Sequence, residues 1–202
     1  MAGGPGGGLL APGVALRPGA FWFLRHGETD WNAGHRTQGS TDIPLNANGI
    51  AQAQAAGAAL AGRGVARLVC SPLGRARLTA EIVGAALGLA PDIEPDIREA
   101  NFGVHEGETM GDWFAAWTLG EVTPEGGESF AAVSARVIPA LDRILAGAGP
   151  ALVVGHGGMF RTVRAAMGFA STVRTPNGVP LWCAFADGGW VLTQADGVVL
   201  KG

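Results

Sequence analysis

Apolar positions along the chain fall into short solid blocks separated by longer interrupted ones. Phe21-Trp22-Phe23-Leu24, Ala66-Arg67-Leu68-Val69-Cys70-Ser71 and Ala151-Leu152-Val153-Val154 are nearly continuous apolar runs of strand length. Such runs mark strands buried on both faces, as in a parallel sheet covered by helices. Between them the pattern turns helical. Asn46 is placed to cap a helix that reaches about Gly62, with alanines and Leu60 on its apolar face and Gln52 and Gln54 on the wet one. Ser71-Pro72 ends the second strand, and Pro72 falls near the first turn of a helix that carries Arg75, Arg77 and Thr79 and reaches Leu87.

The next third of the chain is less regular. A short Pro-bounded strand is predicted around Asp92 to Glu94, followed by an aperiodic, carboxylate-rich loop from Arg98 to Gly107. A Trp-rich helix (Trp113, Phe114, Trp117) is broken off at Gly126-Gly127, and a longer helix from Ser129 to Leu145 is expected to kink or shift register near Pro139. The run Ala151–Val154 opens into a further helix with Arg161 and Arg164. After the Pro176-Asn177-Gly178 turn, Leu181 to Phe185 and Trp190 to Thr193 read as a closing hairpin across Asp187-Gly188-Gly189. No internal repeat or linker divides residues 20–202. Alternating strands and helices predict one three-layer α/β/α sandwich, mostly parallel, with an antiparallel edge strand. Residues 1–19, rich in Gly, Ala and Pro, read as a flexible tail. They have no basic start and no unbroken apolar core, unlike a signal peptide.

Composition narrows the function classes. The 202-residue chain is 48% hydrophobic with a formal net charge of −3, as in a soluble globular protein. Its arginines are scattered and lysine is nearly absent, so no nucleic-acid partner is expected. No apolar stretch long enough to span a membrane occurs, so no membrane partner is expected either. Cys70 and Cys183 lie in apolar strand-like runs and read as small buried residues, which makes a cytoplasmic location the default. A homodimer is compatible with the sequence, which says nothing further about assembly.

Two strands end in the same way. Phe21–Leu24 delivers Arg25-His26-Gly27, and Ala151–Val154 delivers Gly155-His156-Gly157-Gly158. In open α/β sheets ligands bind beyond the carboxyl ends of the strands, so the two histidines are expected to face one crevice. Gly27 allows a sharp turn there. Arg75, at the start of its helix, adds a bidentate partner for an anion. The loop from Asp30 to Leu45, containing Asn32, His35, Arg36, Gln38 and Gly39, is long for a strand-to-helix connection, as functional loops often are. Four histidines are present, but no His-Glu-x-x-His or Cys-x-x-Cys spacing, so no metal site is predicted.

Taken in order, Arg25-His26-Gly27-Glu28-Thr29 with Trp31-Asn32, Ser71-Pro72-Leu73 with Arg75-Ala76 and Thr79-Ala80, Glu99 with Phe102-Gly103 and Glu106-Gly107, and Gly155-His156-Gly157 resemble the histidine phosphatase superfamily in its phosphoglycerate-mutase-like branch. The resemblance covers nearly all of the chain after the tail. It implies a phosphohistidine mechanism without metal or other cofactor, acting on a small-molecule phosphate monoester. His26 would be the nucleophile, Arg25, Arg75 and His156 would surround the phosphoryl group, and Asn32 would add a neutral donor. Glu99 matches the proton donor, with Glu106 as its competitor. Gln38, Gly39 and Gly157 match positions bordering the substrate. His35, His105 and Asn177 are further candidates for the pocket lining.

The resemblance leaves two activities open. Mutases of the family typically carry Arg-His-Tyr after the glutamate and a longer insertion with paired arginines. Here Ala100-Asn101-Phe102 follows Glu99, and only Arg136 and Arg143 lie between Glu99 and His156. A phosphatase is therefore expected, with a cofactor-dependent phosphoglycerate mutase as the alternative and a non-catalytic phospholigand- or protein-binding module as a second alternative. Phe102, Trp113, Phe114 and Trp117 would suit a substrate with a ring or an acyl body.

Overall fold

The computed structural model describes residues 9–200. Strands β1 (Ala20–Arg25), β2 (Arg67–Cys70), β3 (Pro91–Ile93), β4 (Ala151–Gly155), β5 (Pro180–Ala186), β6 (Gly189–Gln194) and β7 (Val199–Leu200) form one sheet in the order β3-β2-β4-β1-β5-β6-β7. The first four pair in parallel, whereas β5, β6 and β7 are antiparallel to their neighbours. The antiparallel part is thus three strands, wider than the expected edge strand. A tight hairpin at Asp187–Gly188, where Asp187 has φ 52°, keeps β5 and β6 adjacent.

The helices are α1 (Asp30–Ala33), α2 (Ala47–Leu60), α3 (Gly74–Leu87), α4 (Asp112–Thr118), α5 (Phe130–Leu145) and α6 (Gly157–Ala166). Because successive strand side chains point to opposite faces, the solid apolar run of β1 feeds two cores at once. Phe21 and Phe23 pack with Val69, Val153, α5 and α6 on one face. Trp22 and Leu24 pack with Leu68, Leu152, Val154, α2 and α3 on the other. The result is the three-layer sandwich anticipated from the pattern. Phe23 stacks on Phe160 of α6 with ring centroids 3.7 Å apart, fixing α6 against β1.

Local signals explain the element ends. The Asn46 side chain accepts from Gly49 N–H and caps α2, and Ser129 caps α5 in the same manner. Gly88, at φ 69°, ends α3 in the left-handed conformation. Pro72 lies before α3 rather than in its first turn, and the Asp42 carboxylate accepts from Gly74 and Arg75 N–H as a remote cap. The predicted kink at Pro139 does not divide α5, which runs continuously from Phe130 to Leu145.

The flexible tail expected over residues 1–19 is corrected for its described part. Leu9, Leu10, Val14 and Leu16 pack on the α5–α6 side of the core. Ala11 N–H donates to Ser134 Oγ at 3.0 Å, and Arg17 N–H donates to Asp142 Oδ1 at 3.0 Å. Residues 1–8 lie outside the described residues. Cys70 and Cys183 are buried and unpaired. Among the described residues, no helix is long and apolar enough to cross a membrane.

Candidate active site

Strand register builds the floor of the site. β1 and β4 lie side by side in parallel with Arg25 opposite Gly155, so His26 and His156 are the next residues on each strand. The chain leaves β1 toward α2 on one face and leaves β4 toward α6 on the other. Neighbouring strands whose connections diverge in this way open a crevice at their carboxyl ends. Gly27 must fit against Gly49 there, because a Cβ on Gly27 would collide with the Gly49 carbonyl.

His26 is buried, and its Nδ1 lies 2.7 Å from the Gly27 carbonyl oxygen. A carbonyl can only accept, so Nδ1 carries the hydrogen and Nε2 keeps its lone pair. Burial, then the Arg75 and Arg25 charges, hold His26 well below the ordinary imidazole range, against a raising effect of the Gly27 hydrogen bond. The ring is therefore neutral at neutral pH. His156 is fully buried beside it, with ring centroids 5.2 Å apart, and burial followed by Arg75 lowers its pKa as well. His156 Nε2 lies 2.6 Å from Ser71 Oγ, and its Nδ1 has no protein partner among the described residues.

The cations around His26 are locked by backbone carbonyls. Arg25 Nη1 donates to Thr175 O at 2.8 Å. Arg75 donates from Nη2 to Gly39 O and from Nη1 to Thr41 O, and pairs with Asp42 at 3.3 Å. The Nε atoms of both arginines are buried without a protein partner among the described residues. Asn32 closes a capping box with Thr29, and its Oδ1 also accepts from Asn177 Nδ2 at 3.1 Å. Its Nδ2 donors then have no protein acceptor among the described residues.

Glu99 reaches the site from a distant loop. Its Oε2 accepts from Gly158 N–H at 2.8 Å, and its Oε1 accepts from Met159 N–H at 2.7 Å and Ala100 N–H at 2.9 Å. The carboxylate thus sits on the N-terminus of α6, where free N–H groups favour it. A side chain on Gly158 would displace it. The loop is held by Arg136, which donates to the carbonyls of Asp96, Arg98 and Glu99 and forks onto Glu128 at 2.8 and 2.9 Å.

Of the nine residues expected at the site, Arg25, His26, Asn32, Gln38, Gly39, Arg75, Glu99 and Gly157 line one pocket, and His156 lies buried beside His26. Glu106 is placed elsewhere. Its carboxylate accepts from Ser40 N–H, Thr41 N–H and the Thr41 hydroxyl, pinning the loop that presents Gly39. His35 and His105 are not in the lining, since His105 stacks on Trp113 and contacts Glu108. Asn177 supports the site from behind by donating to His26 O at 2.9 Å. The aromatic expectation is halved. Phe102 and Phe114 line the pocket, whereas Trp117 is a core residue and Trp113 packs against Phe102.

Sequence reasoning missed Arg161, Arg174, Thr175 and Met110, all in the lining. Arg161 had a signal, since it stands four residues after Gly157 on one helix face. Arg174, on an irregular loop, had none. Among the described residues, no group of three or more His, Cys, Asp or Glu side chains could hold a metal ion.

Residues 21–192 match the family model described as histidine phosphatase superfamily, branch 1. The chain belongs to this family. It is 38% identical over 149 residues to a protein of Yersinia pestis named probable phosphoglycerate mutase GpmB, covering 67% of this chain and 68% of the relative. Among solved structures, a mycobacterial glucosyl-3-phosphoglycerate phosphatase in complex with VO3 superimposes with a TM-score of 0.76 at 29% identity, covering 87% of this chain and 97% of that one. A phosphoserine phosphatase variant from Entamoeba histolytica in complex with phosphoserine gives 0.74 at 27% identity, covering 86% and 94%.

Proposed function

We propose that the protein is a metal-independent phosphomonoester hydrolase acting through a phosphohistidine on a small-molecule phosphate ester. The observation that carries this reading is the buried, neutral His26, whose Nδ1–H is committed to the Gly27 carbonyl while Nε2 stays free. In this reading Nε2 attacks phosphorus in line with the ester oxygen. The P–O bond breaks as the N–P bond forms, and the departing oxygen takes a proton from Glu99. Water then loses a proton to the Glu99 carboxylate and attacks phosphohistidine, releasing phosphate and restoring His26. Arg25, Arg75, the Asn32 amide and the Gly157 N–H meet the equatorial oxygens, where charge develops in the transition state.

A mutase is the second reading, favoured by the relative named probable phosphoglycerate mutase. Against it, the two arginines between Glu99 and His156 are engaged elsewhere. Arg136 holds the Glu99 loop and Arg143 pairs with Glu94 and Asp96. The test is phosphate release from a panel including p-nitrophenyl phosphate and 3-phosphoglycerate, in EDTA, by wild type and His26→Ala. Release that survives EDTA and disappears in the variant supports the hydrolase. Isomerisation of 3-phosphoglycerate without release would establish the mutase, and neither activity would leave a binding module.

A further inference from the structure

Ser71 is fully buried directly after β2. Its N–H donates to Val154 O at 3.0 Å, which continues the ladder between β2 and β4 and fixes the serine beside the residues that end β4. Its side chain has two contacts. Oγ accepts from Leu73 N–H at 3.3 Å, across the turn that Pro72 makes ahead of α3, and lies 2.6 Å from His156 Nε2. Among the described residues these are its only hydrogen-bond partners.

Those two contacts decide where the hydrogens sit. A backbone N–H can only donate, so the hydroxyl hydrogen has one acceptor left, the lone pair of His156 Nε2. The opposite assignment, with Nε2–H donating to Oγ, would bring two hydrogens to that oxygen and leave its own hydrogen buried without an acceptor, which folded proteins avoid. Burial, followed by the Arg75, His26 and Arg25 charges, holds His156 well below the ordinary imidazole range, so at neutral pH the ring carries one hydrogen. That hydrogen is on Nδ1. This atom is buried and has no protein partner among the described residues, so it is a donor still in want of an acceptor. The two nitrogens of an imidazole diverge, and β4 lies between β2 and β1. A ring anchored through Nε2 on the β2 side therefore turns Nδ1 toward the β1 side, where the His26 ring stands 5.2 Å away between centroids.

We infer that Ser71 is a positioning residue, whose hydroxyl holds His156 in the Nδ1–H tautomer so that a neutral imidazole donates to a phosphoryl oxygen in the His26 pocket. Ser71 itself touches no substrate and exchanges no proton. The Gly27 carbonyl holds His26 in the same tautomer by accepting from Nδ1, whereas Ser71 holds His156 in it by donating to Nε2. The rings are alike in tautomer and opposite in role. His26 presents a bare nitrogen that attacks, and His156 presents an N–H that binds. Without the Ser71 hydroxyl the His156 hydrogen is free to move to Nε2, and a lone pair on Nδ1 then faces the phosphoryl oxygens and repels them. This inference rests on the reading of the His26 pocket as a phosphate site.

Long-range ¹H–¹⁵N correlation spectra of the ¹⁵N-labelled protein at neutral pH read the tautomer of each ring, because protonated and bare ring nitrogens resonate far apart. His156→Gln identifies the His156 signals. Wild type is expected to show His156 with Nδ1 protonated and Nε2 bare, both free and with orthovanadate bound. In Ser71→Ala the Nε2–H form should become populated, and kcat/KM for p-nitrophenyl phosphate should fall by about tenfold to hundredfold, as for a donor lost part of the time. Ser71→Thr, which keeps the hydroxyl, should restore the Nδ1–H tautomer and most of the rate. Urea unfolding of each variant separates these effects from loss of fold. A purely structural role in the turn to Leu73 would lower the stability and rate of Ser71→Ala while leaving the His156 tautomer as in wild type, and that result overturns the inference. Wild type with Nε2 protonated overturns it without any variant. The tautomer is read without turnover, so the two readings fail separately. An Nδ1–H tautomer that depends on Ser71, in a protein that releases phosphate from no ester, keeps the role of Ser71 and removes the hydrolase reading, whereas phosphate release with Nε2 protonated does the reverse.

Discussion

At the pocket floor, Arg25-His26-Gly27 and Gly155-His156-Gly157 occupy adjacent strand ends whose spacing is set by a parallel ladder and by packing on both faces. In the wall, Glu99, Arg161 and Arg174 come from three segments held by individual ties: Glu99 to the α6 N-terminus, its loop to Arg136, and the 171–175 segment to Arg161 and Arg25. A floor made of ladder hydrogen bonds and buried rings can be displaced only with the core. A wall made of side-chain ties can be loosened one bond at a time. The floor therefore suits a step whose geometry is the same for every ester, and the wall suits the choice among esters.

The largest expected effect falls on the floor. His26→Ala should lower kcat/KM for every ester by about 10⁴-fold or more, because the variant lacks the imidazole that attacks phosphorus in every ester. A loss that varied widely between esters would break the division of labour.

The two glutamates sharpen it. Glu99→Gln should cost about 10²–10⁴-fold, least for p-nitrophenyl phosphate, whose leaving group needs little proton donation. Glu106→Gln should cost no more than about tenfold for any leaving group, since Glu106 lies outside the pocket lining and tethers the loops at Ser40, Thr41 and Phe102. Steady-state kinetics across leaving groups separates them, and the reverse ranking would exchange their roles.

Arg136→Ala tests whether the wall depends on its ties. It leaves the half-buried Glu128 without its fork and frees three loop carbonyls, so a stability loss of about 2–3 kcal/mol is expected in urea unfolding. Arg136→Lys should recover only part, because an ammonium cannot reproduce the fork. Activity should fall further than the folded fraction does, through the misplaced Glu99.

The smallest effect is the pH dependence of stability, and it belongs to the floor. His26 and His156 have folded-state pKa values well below the ordinary 6.5. As pH falls below 6.5 the unfolded chain takes up protons that the folded chain refuses, so their contribution is complete above that pH and lost progressively below it. The slope approaches about 1.4 kcal/mol per pH unit for each histidine. Urea unfolding at several pH values should show it, and His26→Gln should remove one histidine's share. An unchanged slope in that variant would assign the dependence to other groups.

Much of the floor could be read directly from residues. The solid run Phe21–Leu24 allowed only a strand buried on both faces, and a strand that ends in Arg25-His26-Gly27 places its chemistry at a crevice. The same pattern at Val154–Gly157 puts a second histidine at a strand end of the same kind. The wall was less legible. Trp113 and Trp117 carry the same apolar character as Phe102 and Phe114, and only packing sends Trp117 into the core and leaves Phe114 facing the pocket. Glu106 and Glu99 are equal as residues, but one meets Ser40 and Thr41 while the other meets the start of α6.

The sequence by itself determined the strands, the helices that cover them and the residues on the strand ends, because those follow from apolar period, caps and glycines acting within a few positions of one another. Only the tertiary structure decided which nitrogen of His26 is free, which glutamate enters the pocket, and that Arg161 and Arg174 line it. Those outcomes depend on hydrogen bonds and charges brought together from segments far apart in the chain, and no local pattern encodes such meetings.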